Sequence, residues 1–112
     1  MVLWTRLAPR PYEPSGDFTD PGSRTAGVEF VTTSISSGKN GADKPANWET
    51  YLAANPHMKF YNGRRGYLTV TLDEATARGD YRTVSAVTTP GAPVRTAASF
   101  VTEAGDPGLK PA

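Results

Sequence analysis

The sequence predicts an α+β fold that is mostly antiparallel β, with about four to five strands, a C-terminal meander and one short helix. Residues 66–73, "GYLTVTLD", alternate strictly between a Tyr/Thr face and an aliphatic face, which is the period of a strand. Residues 27–37, "GVEFVTTSISS", are rich in β-branched and aromatic side chains. The 11 glycines and 10 prolines among 112 residues predict many turns and a small core.

The N-terminal part predicts a strand that is poorly attached to the rest. Residues 2–8, "VLWTRLA", favour one short strand. Residues 9–24 contain four prolines, which exclude a helix or a central strand there. A loop this long is unusual inside a compact domain. We therefore expect two parts: residues 1–24, a poorly ordered strand plus Pro-rich loop, and residues 25–112.

The middle of the chain predicts a strand, a turn and a helix. The strand covers residues 27–37, and residues 38–47 form a flexible turn. In the helix, Trp48, Tyr51 and Leu52 share one face at helical spacing. Pro56 ends it, because the residue before a proline disfavours the α conformation.

The C-terminal half predicts a meander of roughly three strands. These strands cover residues 66–73, 80–88 and 94–105, and a connection of about six residues joins the first two. Residues 106–112 are expected to be a frayed tail.

Composition excludes several classes of function. The formal charge of +1 does not favour a nucleic-acid or membrane partner, both of which usually require a more basic surface. The absence of cysteine excludes disulfides, thiolate metal sites and cysteine nucleophiles. The N-terminal residues show neither the basic region nor the apolar run of a secretory signal, so we expect no export signal in this chain.

The stretch "NPHMKFYNGRRGY", residues 55–67, holds the only histidine and no acidic residue. Arginine forks, a lysine charge and His and Asn donors suit phosphate oxygens. The candidate phosphate-binding residues are Asn55, His57, Lys59, Arg64 and Arg65. The alternative, which composition favours, is that the arginines pair with carboxylates or face water while the neighbouring Met58, Phe60 and Tyr61 pack.

Catalytic and metal-ligating residues are not predicted. His57 lacks a Gly-x-Ser-x-Gly elbow that would present a nucleophile to it. No carboxylate stands at ligand spacing from His57, and the acidic residues are scattered. A surface or packing histidine is the simpler interpretation.

Several segments in the same order resemble the C-terminal end of the alkaline phosphatase D (PhoD-like) family. They are "GVEFVTTSISSG", then "NPHMKFYNGRRGY", then "TPGAPVRTAASFVTEAGDPGL", and the similarity covers about residues 17–112. The segment "VLWTRLAP", residues 2–9, resembles instead a strand of that family's N-terminal β-sandwich domain. The chain therefore looks like a family member whose catalytic core is missing.

The resemblance implies a remnant of an αββα metallophosphatase sandwich. Family members hydrolyse phosphomonoesters or phosphodiesters with bound calcium and iron, and they are usually exported. Their metal ligands come from the middle of the chain and include a GD-x-H motif, which this sequence lacks together with any cysteine. We therefore expect a truncated phosphatase with no cofactor in this chain and no activity alone. The expected partners are a phosphate or phosphoester anion and, through an exposed β-sheet, further copies of the chain.

Two other functions stay open at this point. The chain could be a freestanding β-rich binding module that uses the aromatic residues Trp48, Tyr51, Tyr61 and Tyr67 beside arginines. It could also be a subunit that completes a larger phosphatase.

Overall fold

The structure is a computed structural model that describes the backbone of Val2–Arg6, together with Thr25 and residues 27–112. It contains one helix and seven strands within these residues, so the predicted fold class of mostly antiparallel β with one short helix is confirmed. In chain order the elements are β1 (Val2–Arg6), β2 (Gly27–Val31), α1 (Trp48–Ala54), β3 (Met58–Tyr61), β4 (Gly66–Leu72), β5 (Thr76–Val84), β6 (Val94–Glu103) and β7 (Asp106–Pro111).

The first sheet has three strands in the order β2-β1-β3. Strand β1 is antiparallel to both neighbours, with Leu3 opposite Phe30 on one side and Phe60 on the other. The expectation that β1 is poorly attached is therefore wrong, because β1 is the central strand and holds two strands that do not pair with each other. The Pro-rich loop at residues 9–24 lies outside the described residues, and the division at residue 24 stays a prediction.

The second sheet is a four-stranded antiparallel meander in the order β4-β5-β6-β7. The strict alternation at residues 66–73 is confirmed as β4, whose Leu68 lies opposite Tyr81 of β5. Two expectations about this half are wrong. Strand β5 begins at Thr76, inside the predicted connection, and the expected frayed tail forms β7, which pairs with β6.

Local chemistry explains both differences. The Asp73 carboxylate accepts hydrogen bonds from the main-chain N–H groups of Ala75 and Thr76, each at 2.7 Å, and from the Thr76 hydroxyl at 2.9 Å. These bonds close a short turn, so the strand resumes at once. At the other end, Lys110 of β7 reaches Glu103 of β6 at 2.6 Å and also Asp106 at 3.1 Å.

The core lies between the two sheets and is centred on Tyr81, which is 0% exposed. The partly buried side chains packed against it come from both sheets: Phe30, Phe60, Leu68, Phe100 and Leu109. The ring of Tyr81 lies 5.0 Å from that of Phe60 and 6.3 Å from that of Phe30. Gly79 lies under Phe30, where an added Cβ would come within 2.5 Å of the ring. The two sheets therefore meet face to face over one small aromatic cluster.

The helix and the strand after it differ from the prediction in detail. Helix α1 is one element of seven residues, and none of its residues is buried. Only Trp48 of the predicted face packs, with its ring 5.6 Å from that of Tyr61. Strand β3, which the sequence did not predict, follows directly, with Met58 buried beneath the sheet. Within the described residues, α1 is neither long nor apolar enough to cross a membrane.

Candidate functional site

The polar stretch 55–67 runs from the end of α1 through β3 and into β4. Alternation along β3 buries Met58 and leaves Lys59 exposed. His57, immediately before the strand, is half-buried. This alternation places Lys59 on the outer face, away from the aromatic core.

Asn55 acts within the helix end. Its side-chain Nδ2 donates to the Tyr51 carbonyl at 2.9 Å, and its main-chain N–H donates to the Leu52 carbonyl at 3.2 Å. Its carbonyl then accepts from the N–H of Met58 at 3.0 Å. Asn55 thus terminates α1 and turns the chain into β3, which gives a structural reason for a polar residue there.

Residues 38–47 form a loop, the 38–47 loop. Arg64 forms a fork-shaped ion pair with Asp43 of this loop. Its Nε donates to Oδ1 at 2.7 Å and its Nη2 to Oδ2 at 3.3 Å, and Nη1 donates to the Ser85 carbonyl at 3.2 Å. The pKa of the Asp43 carboxyl lies below its usual range, chiefly because Arg64 donates to it and then because Asn62 does, at 3.1 Å. Arg64 therefore ties the loop to the end of β5.

Arg65 binds the segment that follows β2. Its Nε donates to the Lys39 carbonyl at 3.0 Å, its Nη2 to the Gly38 carbonyl at 3.1 Å and its Nη1 to the Thr33 hydroxyl at 2.9 Å. All three guanidinium nitrogens are thus engaged by protein oxygens. Strand β2 ends at Val31, earlier than predicted, and the segment after it supplies the three oxygens that Arg65 binds.

The 38–47 loop is ordered by contacts that sequence reasoning missed. Asn40 Oδ1 accepts from the N–H groups of Val87 and Thr88, at 2.8 and 3.2 Å. The main chain of Gly41, at φ +68°, lies so close to that of Gly63 that an added Cβ would be 2.0 Å from the Gly63 carbonyl oxygen. A loop of Gly, Asn, Asp and Lys gives no periodic signal, so only the paired Asn-Gly and Gly-Arg-Arg steps could have indicated a close approach.

The predicted residues therefore fall into two groups. Arg64 pairs with a carboxylate, as in the alternative interpretation, whereas Arg65 binds carbonyl and hydroxyl oxygens, and Asn55 closes the helix. Lys59 is exposed on β3, and His57, just before the strand, is half-buried. The phosphate-binding assignment stays a prediction.

The four aromatic residues of the alternative binding surface do not form one group. Trp48 and Tyr61 contact each other, and the Lys44 ammonium lies 5.3 Å from the centre of the Trp48 ring. Tyr51 is exposed on α1, and Tyr67 is exposed on β4 in the other sheet. A single recognition surface built from all four is therefore not favoured by their placement.

The calcium and iron that the resemblance implies do not fit the described side chains. No three His, Asp or Glu residues gather within the described part of the chain. Four of its carboxylates bind cationic side chains: Asp43 binds Arg64, Asp80 binds Arg78, and Glu103 and Asp106 bind Lys110. A cation centre of this kind needs several oxygen or nitrogen donors directed at one point.

Comparison with known proteins gives consistent matches. A model of the PhoD-like phosphatase family matches residues 5–81, a range that begins inside β1 and ends inside β5. Alkaline phosphatase D of Bacillus subtilis (strain 168) is 46% identical over 94 residues, which are 84% of this chain and 16% of that protein. A solved structure of PhoD is 40% identical and superposes with a TM-score of 0.84 over 98% of this chain.

The two relatives are much longer than this chain. The chain spans 16% of the length of the curated relative and 20% of the chain in the solved structure. The high TM-score over almost the whole chain shows that the two-sheet arrangement described above is part of the relative's fold. The chain belongs to the PhoD-like phosphatase family.

Proposed function

We propose that this chain is a structural segment of a PhoD-like phosphatase that hydrolyses no phosphoester by itself. The observation that carries the proposal is that no three His, Asp or Glu residues gather among the described residues, and that all the described aspartates are engaged in ion pairs or turns. Asp43 and Asp80 are each bound by an arginine, and Asp73 is bound by N–H groups of its own turn. Each of them would have to give up these bonds before it could ligate a cation.

The chemistry explains why a missing metal site matters so much. In phosphatases that use metals, the cations lower the pKa of a bound water and clamp the phosphoryl oxygens. The described residues can attract an anion, but no three His, Asp or Glu side chains among them gather to hold a cation that would supply either effect. The proposed contribution of this chain is therefore the scaffold that carries the 38–47 loop, which Arg64 and Arg65 hold in place.

The test is an assay of the purified chain with chromogenic phosphomonoester and phosphodiester substrates, with and without added calcium and iron. We expect substrate hydrolysis to be no faster than in buffer alone. We also expect elemental analysis of the chain to find no stoichiometric metal. His57→Ala is the matched variant, because His57 is the one imidazole in the sequence. Metal-dependent turnover that His57→Ala abolishes would overturn the proposal.

We also infer a weak phosphate contact on the outer face of β3, at Lys59 and His57. The inference rests on placement, because Arg64 and Arg65 are already engaged and Lys59 is exposed. A single surface ammonium gives modest attraction that salt screens. Titration with inorganic phosphate, followed by amide chemical shifts, should perturb β3. Lys59→Gln should abolish this change, whereas Lys110→Gln on the other sheet should not.

A further inference from the structure

The two edges of the four-stranded sheet are protected to very different degrees. Strand β7 carries two prolines, an aspartate and a lysine in the sequence "DPGLKP". Such residues block pairing with another strand. Strand β4, "GYLTVTL", contains no charged residue and no proline. One edge of the sheet is therefore closed to a further strand, and the other has none of these safeguards.

The hydrogen bonds show which groups of β4 face outward. The Arg65 carbonyl accepts from the N–H of Val84 at 3.0 Å, toward β5, and the N–H of Gly66 points the opposite way, to the Ser34 carbonyl at 3.4 Å. In an antiparallel strand the N–H and C=O of one residue point to the same side, and the side alternates. The main-chain groups of Leu68, Val70 and Leu72 therefore face the edge away from β5.

The same three residues carry the apolar side chains of the inner face. Leu68 is packed into the core, but Val70 is 47% exposed and Leu72 is 72% exposed. The apolar stripe thus continues past the aromatic core along an open edge. Among the described residues, no strand pairs with β4 on this side. An uncharged edge strand with exposed aliphatic side chains favours pairing with another strand.

We propose that residues 68–72 of β4 pair antiparallel with the same residues of a second copy of this chain. In this register Val70 lies opposite Val70 and Leu68 opposite Leu72 across a two-fold axis. The pairing uses only outward main-chain groups and leaves Gly66 with Ser34. It aligns aliphatic side chains on one face and threonines on the other, and no charges meet. This surface is independent of any phosphate chemistry and joins two four-stranded sheets into one of eight strands.

The contact is short, so we expect the dimer to be weak. Five residues of strand extend about 17 Å. A contact of this length buries less than the roughly 1,200 Å² of the smallest specific interfaces, so the dimer is weak, with a dissociation constant between about 1 μM and 1 mM. Concentration-dependent sedimentation of the full chain over this range should show a monomer–dimer equilibrium.

Cysteine cross-linking tests the register, since the chain has no native cysteine. In the proposed pair, the two Val70 Cα atoms lie about 5.5 Å apart, within disulfide range, and the two Thr69 Cα atoms about 8 Å apart, beyond it. Under mild oxidation, Val70→Cys should form covalent dimer about tenfold faster than Thr69→Cys, a ratio that distinguishes a fixed register from random collision. Thr69→Cys is the matched control, one residue away on the same strand.

A charge at the same position tests the surface itself. Val70→Lys places two ammonium groups opposite each other and should give a monomer at every concentration, with an unchanged far-UV circular dichroism spectrum. Equal cross-linking of the two cysteine variants would overturn the register. A dissociation constant of about 1 mM is the weakest association that the proposal allows. A wild-type chain that stays monomeric up to that concentration would therefore overturn the dimer.

Discussion

Replacement of Tyr81 by alanine tests whether one aromatic cluster holds the two sheets together. Tyr81 is 0% exposed and packs against side chains from both sheets. Burying an aromatic side chain removes about 150–250 Å² from water, which at about 25 cal/mol per Å² contributes about 4–6 kcal/mol. Measured losses for aromatic-to-alanine changes in cores are about 3–5 kcal/mol. We expect a loss in this range, which is a large fraction of the roughly 5–15 kcal/mol that stabilises a typical domain.

Tyr81→Phe is the matched control, because it keeps the ring and removes only the hydroxyl group, which hydrogen-bonds to the main chain of Val31. Loss of that bond should lower the free energy of unfolding by about 1 kcal/mol. Equilibrium unfolding in urea, followed by circular dichroism, measures both changes. A Tyr81→Ala variant that loses no more stability than Tyr81→Phe would refute the assignment of this cluster as the core.

Three further predictions concern contacts of single residues, namely Gly79, Asp43 and Tyr81. Gly79→Ala should lower the free energy of unfolding by about 1–3 kcal/mol in urea melts, because its Cβ meets a ring, whereas Gly27→Ala, with open space, should be nearly neutral. The Asp43 carboxylate should stabilise the fold fully above its unfolded pKa near 4, and this stabilisation should fall as the pH drops through the lowered folded pKa. In acid titrations followed by circular dichroism, Asp43→Asn should therefore lose less stability than wild type. An equal loss would contradict the ion pair with Arg64. Burial raises the pKa of Tyr81 to about 12, so stability should fall as the pH rises from about 10 to 12, and alkaline melts of Tyr81→Phe should lack this part of the fall.

Regular alternation made the second sheet predictable, and local chemistry limited the rest. The strict pattern of β4 gave its position to within one residue. The start of β5 was missed because Asp73 closes a turn with its own side chain, which is a choice between local hydrogen bonds rather than a pattern of hydrophobicity. The frayed-tail prediction failed for a related reason, since pairing with β6 outweighs the poor strand propensity of "DPGLKP".

The candidate site was less predictable because its contacts are long-range. Arg64 and Asp43 are 21 residues apart, and Arg65 and Thr33 are 32 residues apart. The expectation of carboxylate partners holds for Arg64, which binds Asp43, but Arg65 binds carbonyl and hydroxyl oxygens, which composition could not indicate. The family was recognised from ordered segments that share residues with known members, and the matches confirm it.

The place of β1 in its sheet has a consequence for how the chain is made. In chain order β1 precedes both of its neighbours, and the second of them, β3, is complete only when Tyr61 has been added. Until then one side of the central strand has no partner, and its pairing must wait for a distant part of the polypeptide. Distant pairings of this kind slow folding and leave the nascent chain open to wrong associations.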